Sequence, residues 1–588
     1  MGRVSIFPAI AAFGPCRLSG NAGQVLQTRY LKKDDTGAVI ESPEQMLWRV
    51  ALAVAEVDER YGADIQQLAE DFYREMHALR FLPNSPTLMN AGRGLGQLSA
   101  CFVLPIEDSL DSIFQTIKHT ALIHKSGGGT GFSFSRIRPK GERVKSTHGM
   151  SSGPVPFLHV FDAATDAVRQ GGARRGANMG VLRIDHPDIL DFVEAKDGGT
   201  QLANFNLSVA VTHEFMQALE HGDDFVLIHP VTGKAAGHLK SAAVFSRICR
   251  RAWECGDPGL LFLDRINADN PTPELGDIEC TNPCGEQPLL PYESCNLGSI
   301  NLAAFARSRS GHTDIDYGAL ARTVRMAVHF LDNVIDANRY PLPQVGQMTR
   351  GNRKVGLGVM GWADLLVKLG IPYGSDKTLL LAEKVMGFVQ RCARNASAEL
   401  ARARGAFPNF DRSRLAAGGA VPVRNASITT VAPTGTISII AGCSSGIEPL
   451  FALSYTRGNI LDGATMSEVH WALLEQLHSL HLDDEDTINR VLVTGSIQGH
   501  EKVPRAIRDV YATALEIAPE WHVRMQAAFQ KYCDSAVSKT VNLPFGAAPS
   551  DVADIYKMAY RLGCKGITVY RDRCRSSQVL NIGCAACA

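Results

Sequence analysis

The chain has 588 residues and a mass of 63.6 kDa, with 45% hydrophobic and 20% charged residues, the proportions of an ordinary globular protein. Its 60 basic residues balance 60 acidic ones, so no electrostatic argument points to nucleic acid or a membrane surface. The longest apolar runs fall short of a membrane span, and the apolar stretch Val4–Phe13 carries Pro8 without a convincing cleavage site, so neither a transmembrane helix nor a secretory leader is expected. The 14 cysteines are scattered rather than framework-spaced, which suits a reducing, cytoplasmic compartment and catalytic or metal-binding thiols more than structural bridges.

From Pro43 to about Leu79 apolar residues recur at helical spacing (Met46, Leu47, Val50, Ala53, Val54, Val57), predicting an α-helical lead-in. Glycines cluster at Gly127–Gly131 and Gly171–Gly172, marking loops where the backbone approaches something closely or takes positive φ. Short apolar runs at Gly180–Ile184 and Phe225–Ile228 alternate with helix-like segments, the pattern of an α/β architecture.

The segment Asn282–Tyr292 (NPCGEQPLLPY) is the most informative. In extended backbone, residues i, i+2 and i+4 project to one side, so Asn282, Cys284 and Glu286 would present an amide, a thiol and a base together while Pro283 and Gly285 face away. A free cysteine is usually a small buried hydrophobe, but Pro, Gly, Asn and Glu make a poor core environment. A zinc site from Cys280, Cys284 and Cys295 is conceivable, yet the spacings are not tight pairs and no histidine is near in sequence. Reactive chemistry is favoured, with Cys295 close by as a second thiol.

Further on, Tyr317–Ala337 and Lys377–Arg404 read as long amphipathic helices. Gly356–Gly361 matches the dinucleotide fingerprint G-x-G-x-x-G, but the preceding basic Thr349–Lys354 is no central strand. It is expected to be a tight loop before a helix Trp362–Leu369. Pro433–Ser438 (PTGTIS) follows a β-branched run; its small and hydroxyl residues suit a phosphate at a helix N-terminus, or simply an N-cap turn. The serine cluster Cys443–Gly446 follows closely. Arg571–Ala588 reads as a flexible tail ending in Cys584-x-x-Cys587, a candidate redox dithiol whose linker, extended, reaches about 45 Å.

Taken together, these segments resemble the ribonucleotide reductase large subunits and, within them, the adenosylcobalamin-dependent class II ribonucleoside-diphosphate reductases. The resemblance runs from about Gln27 to Leu580 and rests on Asn84–Gly92, Leu98–Pro105, Lys125–Phe132, Gln170–Asn178, the Asn282 segment, Ala432–Pro449 and Gly563–Tyr570. It implies a ten-stranded α/β barrel over residues 81–575 with Cys284 on a central finger loop, a small helical region at 1–80 and a redox tail at 576–588. It further implies that Cys284 becomes a thiyl radical, that Glu286 is the base for the 3′-hydroxyl and that Asn282 holds the substrate. Cys101 and Cys295 match the reducing dithiol, and Cys584 and Cys587 the pair that recharges it from thioredoxin or a similar donor.

Ser85, Ala100, Gly129, Pro433, Thr434, Gly435, Thr436 and Ile437 fall where relatives contact the ribonucleoside diphosphate. Asp108, Ser109, Arg138 and the loop Gln170–Asn178 with Arg174 match the site of deoxynucleotide effectors, which lies near the dimer interface in relatives, so a homodimer is implied. Class I large subunits carry a Tyr-Tyr pair that relays a radical from a partner subunit; here Val569 stands at the first position, before Tyr570. No glycyl-radical motif is seen. A cobalamin cofactor, with its cobalt, is the consistent choice, no further protein-bound metal is expected, and a class I-type subunit needing a radical-generating partner is the alternative. The opening typical of an ATP cone is absent, so no overall activity switch is expected. Many class II relatives run past this length, with their terminal dithiol in a longer tail.

Overall fold

The computed structural model describes residues 13–144, 148–168, 176–196, 201–461, 464–575 and 580–583. The lead-in forms two principal helices, Pro43–Ala55 and Ile65–His77. The first starts at a capping box: Ser42 accepts from the Gln45 backbone N–H, Gln45 answers back onto Ser42, and Pro43 occupies the first turn where no donor is needed. Its Met46, Leu47, Val50, Ala51 and Val54 stripe is buried against the second helix and the long helix Tyr317–Ala337. Ser42→Ala is expected to lower stability by about 1 kcal/mol, read from a denaturant midpoint at unchanged slope.

Nine barrel strands follow in chain order: β1 (Cys101–Leu104), β2 (Gly129–Ser133), β3 (Asn178–Arg183), β4 (Phe205–Val211), β5 (Gly259–Phe262), β6 (Ser294–Asn301), β7 (Val355–Met360), β8 (Thr540–Leu543) and β9 (Gly566–Arg571). β1 to β5 run parallel to their neighbours in that order. In the other half β6 is parallel to β7, and β8 to β9. The extended segment 428–431 fills the gap, bridging Leu357 of β7 through Thr429 and Val537, just before β8, through Val431. The halves meet antiparallel at β1–β6 and at β5–β9, closing a barrel of two five-stave halves. Near-continuous burial along β1, β6 and β7 is what helix-covered parallel strands require.

Three features refine the sequence reading. Gly356–Gly361 is not a tight loop: Gly356 and Gly358 lie inside β7, where a Cβ would meet Leu297 and the Thr430 carbonyl at 2.3 and 2.7 Å. Those glycines let staves close on one another, and Gly361 alone makes the turn into Trp362–Leu369, at φ 70°. The tail is not wholly a free linker either. Leu580–Ile582 pairs antiparallel with Ser454–Leu461, beyond the end of β9. The run Phe225–Ile228 is a strand, but of a separate hairpin with Ala235–Lys240 rather than of the barrel.

Candidate active site

Inward-facing side chains of the staves do not fill the barrel by themselves. Cys101, Val103, Met179, Val181, Ala210, Leu261, Cys295 and Leu297 pack around Cys280, Leu289 and Leu290, so a hairpin is threaded through the interior. Its arms are Cys280–Thr281 and Pro288–Leu289, paired antiparallel. β2 makes room for it with glycine: a Cβ on Gly129 would lie 2.9 Å from Pro283, and one on Gly131 only 1.8 Å from the Thr281 carbonyl oxygen. The close approach expected of the Gly127–Gly131 cluster is therefore to this hairpin, although only Gly127 (φ 91°) needs the left-handed backbone and residues from Gly129 on are strand.

The hairpin tip is a turn, not the extended backbone read from the sequence. Gly285 takes φ 82°, and the Asn282 side-chain oxygen accepts from the Gln287 backbone N–H at 3.0 Å, folding the tip back. Asn282 and Glu286 are consequently buried, and Cys284 stands exposed at the apex. The tip is gripped from both halves: Asn206 on β4 donates to the Pro283 carbonyl at 2.8 Å, while the Thr430 hydroxyl and the Ala536 N–H both donate to the Glu286 carbonyl at 2.9 Å.

Beneath the tip, the Asn282 amide donates to the Cys101 sulfur at 3.1 Å, and that thiol lies 3.8 Å from Glu286 Oε1. Cys101 and Cys295 are register partners on the antiparallel β1–β6 pair. Directly opposite residues there have Cα atoms roughly 4.5–5.5 Å apart with side chains on one face. That falls within the 4.4–6.8 Å span of a disulfide, so the two thiols can bridge without moving the strands. Burial pushes the Cys295 thiol well above its ordinary pKa, keeping it neutral. Just behind it, the buried pair Lys354–Glu293 (2.6 Å) braces the hairpin exit, since Glu293 also accepts from the Leu290 N–H at 2.7 Å. Cys280 is fully buried, with its thiol also raised by burial. No group of three or more His, Cys, Asp or Glu side chains able to hold a metal ion occurs among the described residues.

Cys284 opens onto a cavity of about 1400 Å³, larger than the roughly 300–1,000 Å³ of most small-ligand sites. Pro433, Gly435 and Ser438 also line it, and Ala441, Phe451, Tyr455 and Leu474 contribute apolar lining. Thr434 is buried with φ 55°, its hydroxyl accepting from the Gly446 N–H at 2.8 Å, and Thr436 and Ile437 begin the short helix Ile437–Ala441. Ala100 and Gly129 adjoin the hairpin through a 2.8 Å bond from the Gly129 N–H to the Ala100 carbonyl. Ser85 instead bonds the Tyr30 hydroxyl at 2.7 Å, away from the cavity lining.

On the barrel's flank, Ser109 caps the helix Leu110–Lys125 and Arg138 forms a 2.7 Å ion pair with Asp108. Arg174, Cys584 and Cys587 lie outside the described residues. Sequence reasoning missed Asn206 and Thr430, which grip the loop through ordinary polar side chains in strand-like runs. It also missed the buried Lys539 on the cavity wall, held by Glu448 at 2.5 Å. Nothing local marked it, since Ser535–Leu543 mixes polar and apolar residues.

The ribonucleotide reductase barrel-domain model matches residues 99–422 and 419–570, and the all-alpha-domain model matches residues 16–96. A vitamin B12-dependent ribonucleoside-diphosphate reductase of Thermoplasma acidophilum is 46% identical, over 97% of this chain and 81% of its own length. One of Mycobacterium tuberculosis is 48% identical, over 96% and 81%. Among solved structures, the class Id ribonucleotide reductase alpha subunit of Actinobacillus ureae superposes with a TM-score of 0.77 at 25% identity, covering 95% of this chain and 98% of that one.

Proposed function

The chain belongs to the ribonucleotide reductase large-subunit family, and from that premise we propose that it reduces ribonucleoside diphosphates to 2′-deoxyribonucleoside diphosphates by a thiyl-radical mechanism, with adenosylcobalamin as radical generator. The observation that carries this reading is an exposed Cys284 held above buried Asn282, Glu286 and the paired Cys101 and Cys295, at one large cavity. The reactive thiol Cys284 and the segment around Pro433–Ser438 line the same cavity, which a bound nucleotide would enter. Bound adenosylcobalamin supplies a radical equivalent by homolysis of its cobalt–carbon bond. The apolar lining at Ala441, Phe451, Tyr455 and Leu474 would hold it.

Cys284, as thiyl, takes the substrate's 3′ hydrogen. Glu286 takes the 3′-hydroxyl proton, and its backbone, anchored by Thr430 and Ala536, fixes where that carboxylate sits. Asn282 orients the substrate and holds the Cys101 sulfur. Cys101 and Cys295 supply two electrons and two protons as the 2′ carbon–oxygen bond breaks and the hydroxyl leaves as water; they become a disulfide, and Cys284 returns the hydrogen to the 3′ carbon. Pro433, Thr434, Gly435, Thr436 and Ile437, with Ala100 and Gly129, would position nucleotide and diphosphate. The terminal pair Cys584 and Cys587 would return electrons from thioredoxin or a similar donor. Residues 1–80, 81–575 and 576–588 would divide as helical region, barrel and tail.

Asp108, Ser109, Arg138 and Arg174 would bind deoxynucleotide effectors. The same flank supports a homodimer: Leu110, Phe114 and Leu122 are exposed on the helix Leu110–Lys125, and Val160 on the adjoining helix Pro154–Ala167. No helix among the described residues is long and apolar enough to cross a membrane; a cytoplasmic location is the proposal. The class I-type alternative is disfavoured by Val569 and by the B12-dependent relatives.

The test is anaerobic reduction of CDP by the purified chain alone, with dithiothreitol as reductant and dATP as effector. Deoxy-CDP formed only when adenosylcobalamin is added is the expected result. Product only on adding a radical-generating partner subunit would overturn the cobalamin reading.

A further inference from the structure

Four buried polar side chains form a continuous chain behind β2, outside the catalytic cluster. His124, at the end of the helix Leu110–Lys125, places Nε2 3.0 Å from the Thr130 hydroxyl on β2. The Thr130 hydroxyl is 2.7 Å from Asn178 Oδ1 on β3, and Asn178 Nδ2 is 2.9 Å from the Thr165 hydroxyl on the helix Pro154–Ala167. Thr165 in turn donates to the Phe161 carbonyl at 2.8 Å. All four side chains are at most 4% exposed.

Taking Thr165 as donor to the Phe161 carbonyl orders the chain in one direction, and the His124 ring is held as well by a bond to the Ala177 carbonyl. Thr165 has spent its one proton on Phe161, so it must accept from the Asn178 amide. That turns Asn178 Oδ1 toward Thr130, which must donate to it. Thr130 then can only accept from His124, whose Nε2 must carry hydrogen. Burial lowers the His124 pKa to about 4, so the ring is neutral at physiological pH. The other side of the ring faces Gly176, where a Cβ would come within 2.6 Å of His124 Nδ1 and 3.0 Å of Thr165. Removing the polar group of any member leaves a buried neighbour unsatisfied.

Two of its members adjoin the parts proposed to sense the effector, and Thr130 lies on the strand behind the reactive loop. His124 shares a helix with Ser109, and Asn178 closes the expected effector loop. Thr130 sits between Gly129 and Gly131, the two glycines against which the Cys284 hairpin packs. We infer that His124, Thr130, Asn178 and Thr165 form a clamp that couples the effector flank to β2, making Thr130 and His124 positioning residues for the choice of which base is reduced. The inference rests on the reductase reading and adds to it residues that contact neither nucleotide nor the reacting atoms.

Thr130→Val keeps the volume and removes the hydroxyl; Thr130→Ser restores it. The readout is the ratio of CDP to ADP dissociation constants with and without dATP or dTTP, alongside effector affinity and melting temperature. In Thr130→Val the effector-induced change in that ratio is expected to shrink about five- to tenfold, while effector affinity and effector-free turnover stay near those of the parent, and Thr130→Ser recovers the change. A Thr130→Val variant with the parent's full effector response overturns the clamp. So does one in which Thr130→Ser fails to recover it, or in which affinity for both diphosphates falls equally. Because the coupling is read from binding without cofactor, absent turnover in the parent would count against the reductase reading and not against the clamp.

Discussion

Cys284→Ala is expected to lose turnover by at least about four orders of magnitude while folding and binding CDP as the parent does. The sulfur is the only atom at the hairpin apex able to carry the radical, and no neighbouring group can replace it, because Cys101 and Cys295 are buried beneath the tip. Cys284 is exposed, so its removal leaves no cavity, and the grip on the tip comes through the Pro283 and Glu286 carbonyls, which the substitution keeps. Unchanged melting temperature and CDP affinity with no deoxy-CDP is therefore the expected pattern. Glu286→Gln separates the roles, with a smaller fall of about 10²–10⁴, the usual share of a general base. Measurable steady turnover in Cys284→Ala would remove this thiol from the mechanism.

Much of this site was legible because it is compact in sequence. Asn282, Cys284 and Glu286 lie within five residues, and their chemistry is unusual enough to stand out from a core. What the sequence misjudged was backbone shape. Alternation in an extended segment would expose all three side chains together, whereas Gly285 and the Asn282 cap fold the tip so that only the thiol is exposed. The Gly356–Gly361 segment misled for the opposite reason. Glycines there signal close packing of staves inside a strand, and nothing local distinguishes that from a turn. The pairing of Cys101 with Cys295 is a property of register between strands almost two hundred positions apart, and entered the sequence reading only through family resemblance. Asn206, Thr430 and the His124 clamp act through bonds between distant elements, and each residue looks ordinary where it stands.

The second large effect concerns the glycine that lets the hairpin enter. In Gly131→Ala the new Cβ would lie 1.8 Å from the Thr281 carbonyl oxygen, 2.9 Å from its carbon and 3.1 Å from the Cys280 sulfur. Two of these atoms are backbone, so no side-chain rotation relieves the contact. β2 cannot retreat, since it is bonded to β1 on one side and β3 on the other and is latched from behind through Thr130. The hairpin must move instead, against the bonds from Asn206, Thr430 and Ala536 that hold its tip. A destabilisation of about 3 kcal/mol is expected from the overpacking, read from chemical denaturation. The fraction that does fold should turn over about 10²-fold more slowly, because a shift of order 1 Å misplaces Cys284 from the 3′ hydrogen. Gly141→Ala, at an open turn with nothing within 4 Å, is the control for a glycine in which only backbone strain is at stake. If Gly131→Ala were as active and stable as the parent, the hairpin would not be confined by β2, and the position of the reactive thiol would have to be set by the barrel's other half alone.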